Sequence, residues 1–101
     1  MKIDFTQPLK DIEGNEIKEG DKVITLGILA NRALDGTLPG ETSVSTEDKL
    51  ARWDLMLRIR DGGEIEKSEL KLIKDRIGQA YAPSVVGYAH ALLNGVVADG
   101  T

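Results

Sequence analysis

Apolar and polar positions divide the chain into an alternating N-terminal stretch and four stretches with helical spacing. Lys2-Ile3-Asp4-Phe5 alternates polar and apolar, which predicts a half-buried strand. A second extended segment is expected at Glu16-Ile17-Lys18. It follows Asp11-Ile12-Glu13-Gly14-Asn15, whose glycine and asparagine suit a hairpin turn that needs positive φ. Gly20-Asp21 and Val23-Ile24 complete a non-helical entry. Two short strands make only a marginal sheet, so this arm must lean on the helices or on a partner.

Thr25 reads as an N-cap, and Leu26, Leu29, Ala30, Ala33 and Leu34 then trace one face of a helix. Gly36 stands where a left-handed residue closes a last turn, and residues 35–44 are a loop by composition. Ser45 and Thr46, followed by Glu47 and Asp48, predict the capped, dipole-matched start of a second helix over about 47–60. Its buried stripe is expected to be Leu50, Trp53, Met56, Leu57 and Arg60, ending at Gly62-Gly63. Asp48 to Arg52 and Asp54 to Arg58 are acid-before-base pairs four apart. After the link Glu64-Ile65-Glu66, Ser68 reads as the cap of a third helix carrying Leu70, Ile73, Ile77 and Ala80-Tyr81 on one face. Pro83 suits the first position of a fourth helix, Val85, Val86, Ala89, Leu92 and Leu93 give its apolar side, and Asn94-Gly95 ends it.

These elements predict a mainly α fold: a small four-helix, orthogonal-type domain with a short N-terminal β-hairpin or extended arm. Residues 1–24 form the arm, 25–95 the helical core and 96–101 a frayed tail, in one domain over 1–101. No internal repeat, heptad seam or low-complexity run is present.

Composition narrows the function classes. With 41% apolar residues and 30% charged among 101, a modest core can form. The net charge of −4 argues against a general nucleic-acid binder. The absence of cysteine removes disulfides, thiolate nucleophiles and Cys-based zinc sites. Met1-Lys2-Ile3-Asp4 lacks the pattern of a signal peptide, and no apolar run reaches the ~18 residues of a membrane span. A cytoplasmic protein with no membrane association is expected.

The segment 53–77 resembles an EF-hand helix-loop-helix. Gly63 falls at the sharp-turn glycine, Ile65 at the buried extended position and Glu69 at the closing glutamate. The positions that should supply the first carboxylates hold Arg58, Arg60 and Gly62, so no bound calcium is expected; what remains is two helices held at an angle with Ile65 in the core. Residues 47–76 hold eight bases and eight acids, a neutral surface. Lys67, Lys71 and Lys74 share one face of the third helix, the phosphate track that a small DNA-contacting regulatory protein would use. No aromatic residue alternates with them to stack bases.

Catalytic chemistry finds no set to work with. His90 is the sole histidine, in an apolar helix, and no Ser-His-acid arrangement, P-loop or dinucleotide fingerprint is legible. No catalytic residue, cofactor or metal is therefore expected, and the chain is read as not an enzyme.

The fourth helix says more about association. Ser84, Gly87, Ala91 and Gly95 recur at spacings of three, four and four. A glycine within a helix costs about 1 kcal/mol against alanine, so Gly87 calls for a compensating close approach by another helix, of this chain or of a partner. Nearly free of charge on both sides, the helix should be buried almost all round, as the centre of the domain or as an interface. Tyr81, Val86, Gly87, His90 and Ala91 are the candidate partner-interface residues.

The layout as a whole is similar to a class of small proteins encoded in tailed-phage and prophage structural gene regions. The similarity lies in Lys2-Ile3-Asp4-Phe5 with Pro8-Leu9 and Gly14, in Thr25-Leu26-Gly27 and in Ile59-Arg60-Asp61-Gly62-Gly63. It continues through Leu72-Ile73-Lys74, Ala80-Tyr81-Ala82-Pro83 and Val85-Val86-Gly87. This resemblance implies a phage-derived accessory protein of the host cytoplasm and carries over no catalytic or binding residue. The function expected is a non-enzymatic protein-interaction or assembly accessory, whose partner would be a protein such as a phage structural protein or a second copy of the chain.

Overall fold

Leu26, Leu29, Ala30, Ala33 and Leu34 form the buried face of α1 (Leu26–Asp35), and the rest of the molecule is arranged around it. The computed structural model describes residues 1–95. A two-stranded antiparallel hairpin, β1 (Lys18–Glu19) and β2 (Lys22–Val23), precedes α1. α2 (Thr46–Asp61), α3 (Lys67–Ala80) and α4 (Pro83–Leu93) follow it. α1 packs against both α2 and α3, and α3 against α4. The mainly α fold with a small N-terminal hairpin is thus the architecture adopted.

The arm contains more pairing than two short strands. Gly14, at φ 90°, closes the turn expected at 11–15, and Lys10 pairs with Glu16 across it. Gly20, at φ 60°, makes a second turn between β1 and β2. Three backbone hydrogen bonds then form a closed ring. Leu9 N–H donates to the Ile24 carbonyl at 2.9 Å, Ile24 N–H to Ile17 at 2.9 Å, and Ile17 N–H to Leu9 at 3.0 Å. Leu9 and Ile24 are buried and Ile17 packs at the core's edge, so the arm leans on the helices as expected.

Lys2–Phe5 is not a strand. The Asp4 carboxylate accepts from Thr6 N–H at 2.9 Å and turns the chain there, while Met1 exchanges two backbone hydrogen bonds with Ile65. The alternation still places Phe5 in the core and Ile3 against it. The Phe5 carbonyl accepts from Gly27 N–H at 2.8 Å, the Gln7 carbonyl from Leu26 N–H at 2.8 Å, and Thr25 Oγ1 from Ile28 N–H at 3.3 Å. The arm and its cap therefore satisfy the otherwise unpaired N–H groups that open α1.

Several helical details depart from the sequence pattern. Gly36 ends α1 at φ −74°, extended rather than left-handed, and donates its N–H to Arg32. α3 begins one residue after Glu66, which shares a reciprocal capping box with Glu69; Ser68 lies inside the helix. α4 is not central. It packs on α3 with Ala89, Leu92 and Leu93 buried, while Ser84 and Gly87 are exposed. The predicted tail at 96–101 lies outside the described residues.

α2 shows the largest difference. Its buried residues are Leu55 and Ile59, whereas Trp53 is 56% exposed and Leu50 61% exposed. At 100° per residue Leu50, Trp53 and Leu57 lie on the side opposite Leu55 and Ile59. α2 is apolar on two faces, and the core uses the face that also carries Arg52.

Gly27 marks the tightest approach between arm and helices. A Cβ there would lie 3.1 Å from the Phe5 carbonyl oxygen, 3.2 Å from Phe5 Cβ and 3.6 Å from an Ile59 methyl. Gly27→Ala is expected to destabilise the fold by about 1–3 kcal/mol, read by chemical denaturation, because backbone has to move.

Candidate functional site

An open, largely apolar groove lies between the arm and α4. The Asp11-Ile12-Glu13-Gly14 turn projects Ile12 into solvent, where it is 87% exposed. Across from it run Pro83, Ser84, Gly87, Tyr88 and Ala91, and the two sides enclose a groove of about 590 Å³. Within α4 this wall carries no charged side chain; Lys10 and Asp11 stand at the other edge. A Cβ on Gly87 would meet nothing within 4 Å, so among the described residues no helix lies close against it.

The five candidate interface residues separate into two groups. Gly87 and Ala91 line this groove. Tyr81, Val86 and His90 face inward: Tyr81 and Val86 pack against the core, and His90 Nε2 lies 3.0 Å from the Lys74 carbonyl, tying α4 to α3. Burial raises the Tyr81 phenol's pKa. Ile12 and Tyr88 were absent from the expectation. An isoleucine at a turn tip between two acids was the available signal for the first, since no such position can reach a core.

The densest polar cluster lies where α1 ends. Arg76, buried between Ile73 and Ile77 on α3, donates from Nε to the Ala33 carbonyl at 2.6 Å and from Nη2 to the Gly36 carbonyl at 2.5 Å. It also forms a two-pronged pair with Glu41, at 2.9 and 3.2 Å. Arg52 donates to the Leu34 carbonyl at 3.2 Å. Glu41 in turn accepts Leu38 N–H at 2.7 Å. The Arg76 hydrogen bonds and that N–H lower the Glu41 pKa to about 2. A carboxylate fixed this way is not a proton carrier near neutral pH. Its chemistry is structural: it holds the loop 37–45 against the end of α1.

At the junction of α2 and α3, Arg58 reaches back over the loop. Its Nη1 donates to the Glu64 carbonyl at 3.1 Å and to Glu69 Oε1 at 2.8 Å, its Nη2 also pairs with Glu69, and its Nε donates to Asp54 at 3.0 Å. In the EF-hand register, the Glu64 carbonyl and Glu69 carboxylate are the seventh and twelfth positions, two of the groups that calcium takes. Here a guanidinium takes them. The left-handed residue is Gly62 (φ 73°) rather than Gly63, and α2 stays helical to Asp61. Ile65 is buried, as expected. Among the described residues no group of three or more acids or histidines is placed to hold a metal ion.

The three lysines of the alternative nucleic-acid face lie along one side of α3, where two of them have partners. Lys71 pairs with Asp75 at 2.7 Å, and Lys74 donates to the Asn94 side chain. Lys67 is exposed at the start of α3. No helix among the described residues is long and apolar enough to cross a membrane. Comparison with family models, with curated proteins and with solved structures finds no match to this chain.

Glu41 sets an acid limit on the fold. Its pKa is lowered on folding, so its stabilising contribution is complete above the unfolded value of about 4.5 and is lost as pH falls towards about 2. Thermal unfolding followed across this window should show stability falling, and Glu41→Gln should lower stability at neutral pH while flattening the acid slope. Arg76→Met should cost about 3 kcal/mol, because it unpairs Glu41 and leaves the Ala33 and Gly36 carbonyls without donors.

Proposed function

We propose that this chain is a non-enzymatic protein-interaction module, an assembly accessory of phage or prophage origin acting in the cytoplasm, whose partner is another protein. The observation that carries this reading is Gly87: a helix-interior glycine on an uncharged face, with open space above it and Ile12 across the groove. The occupant that fits is an apolar helix of the partner, lying on the small residues Ser84, Gly87 and Ala91 where its backbone can come close. The non-enzymatic part rests on the polar groups. Glu41, Arg76 and Arg58 are engaged in hydrogen bonds that hold one element to another, and His90 ties α4 to α3 through Nε2. The phage origin rests on the layout of motifs along the chain.

Stability and association should move in opposite directions at Gly87. Gly87→Ala is expected to stabilise the free protein by up to about 1 kcal/mol, since the helix gains propensity and nothing is displaced. Gly87→Leu should remain folded yet fill the floor of the groove. Mixing the protein with the products of neighbouring genes and following co-elution provides the test. A complex with at least one of them, lost in Gly87→Leu and Ala91→Trp, is the expected result. No complex with any of them, or one indifferent to both substitutions, overturns the reading.

A further inference from the structure

The outward face of α2 is left largely open by the fold, with Leu50 and Trp53 exposed and Leu57 half-buried, and its residues are spaced for another helix. Leu50, Trp53 and Leu57 follow one another at intervals of three and four, with Leu50 and Trp53 more than half exposed. These are a, d and a positions of a heptad, which puts Leu55 at f, facing the chain's own core. The stripe spans only two turns, too short to register as a coiled coil in the sequence.

The charges beside the stripe identify what fits it. Lys49 stands at g and Asp54 at e, five residues later, and both are exposed. When two copies of one helix pair in parallel, the g residue of each faces the e residue five positions on in the other. Lys49 of each copy then meets Asp54 of the other, and two-fold symmetry makes the contact twice. Arg58 holds Asp54 through Oδ2, which fixes the carboxylate beside the stripe. An antiparallel pair would set e against e, bringing Asp54 against Asp54 and Glu47 against Asp61, like charges in each case. The e and g charges therefore favour the parallel orientation, and Arg60, at the next d position and paired with Asp61, ends the seam there.

We infer that the chain self-associates as a parallel, two-fold symmetric dimer through α2, with Leu50, Trp53 and Leu57 as the seam and reciprocal Lys49–Asp54 pairs beside it. This surface is on a different element from the α4 groove and stands or falls independently of it. A two-turn seam makes a concentration-dependent dimer in which Trp53 is the main anchor.

Sedimentation of the full chain over a range of concentrations tests this directly. Trp53 is the only tryptophan and serves as a second readout. The expected result is a monomer–dimer equilibrium with Trp53 emission shifting to the blue as the dimer forms. Lys49→Glu alone and Asp54→Lys alone should each raise the dimer Kd roughly tenfold or more, since each sets like charges together. An equimolar mixture of the two substituted chains offers opposite charges at both contacts and should dimerise again. A chain monomeric at every concentration overturns the inference, whether or not some other protein covers α2. A dimer indifferent to the single substitutions overturns it as well, and so does a mixture that fails to recover.

Discussion

A short helix can lie at the centre of a small protein only if the backbone groups at its ends are satisfied without water. α1 meets this condition from two directions. Its opening N–H groups are taken by Phe5, Gln7 and the Thr25 hydroxyl, all supplied by the arm and its junction. At its closing end, the carbonyls of Ala33 and Leu34 accept from Arg76 and Arg52, and that of Arg32 from Gly36. An unpaired buried carbonyl or amide costs about 1–3 kcal/mol, so these bonds decide whether α1 can be buried at all. They also place everything else. The arm must fold back on α1, α2 and α3 must present their arginines to its end, and the loop 37–45 must deliver Glu41 to neutralise Arg76.

This constraint explains which parts of the fold were legible in the sequence. The stripe of α1 was readable because five of the helix's six apolar positions, all but Ile28, point one way. α2 was misread because it carries two stripes. Leu50, Trp53 and Leu57 make the stronger pattern in a one-dimensional reading. The core instead takes the face where Leu55 and Ile59 accompany Arg52, since only that face brings a donor to Leu34. The role of Arg76 was out of reach for a similar reason, since its partners at 33, 36 and 41 are distant in sequence. The hint was its position between Ile73 and Ile77, a charge inside an apolar stripe.

The candidate site was partly legible. The small-residue run on α4 drew attention to Gly87 and Ala91, and these do line an open groove. The same run could not show that Tyr81, Val86 and His90 turn inward, because that depends on how α4 sits on α3. Nor could it show that the opposite wall is the 11–14 turn, which reaches α4 only once the arm has closed. The glycine-rich junction at 61–66 followed a third pattern. Its spacing resembled a calcium loop, and the folded chain puts Arg58 across the carbonyl and carboxylate that such a loop would offer an ion.

The ring of bonds among Leu9, Ile17 and Ile24 has one more effect. Most small β elements expose a row of unpaired amides and carbonyls along an outer strand, and other extended chains can add themselves there. In this arm each of the three residues gives its N–H to one neighbour and its carbonyl to the other. At that level no border is left for a fourth strand to join. The arm is closed there against the edge-to-edge strand addition by which β-sheets grow.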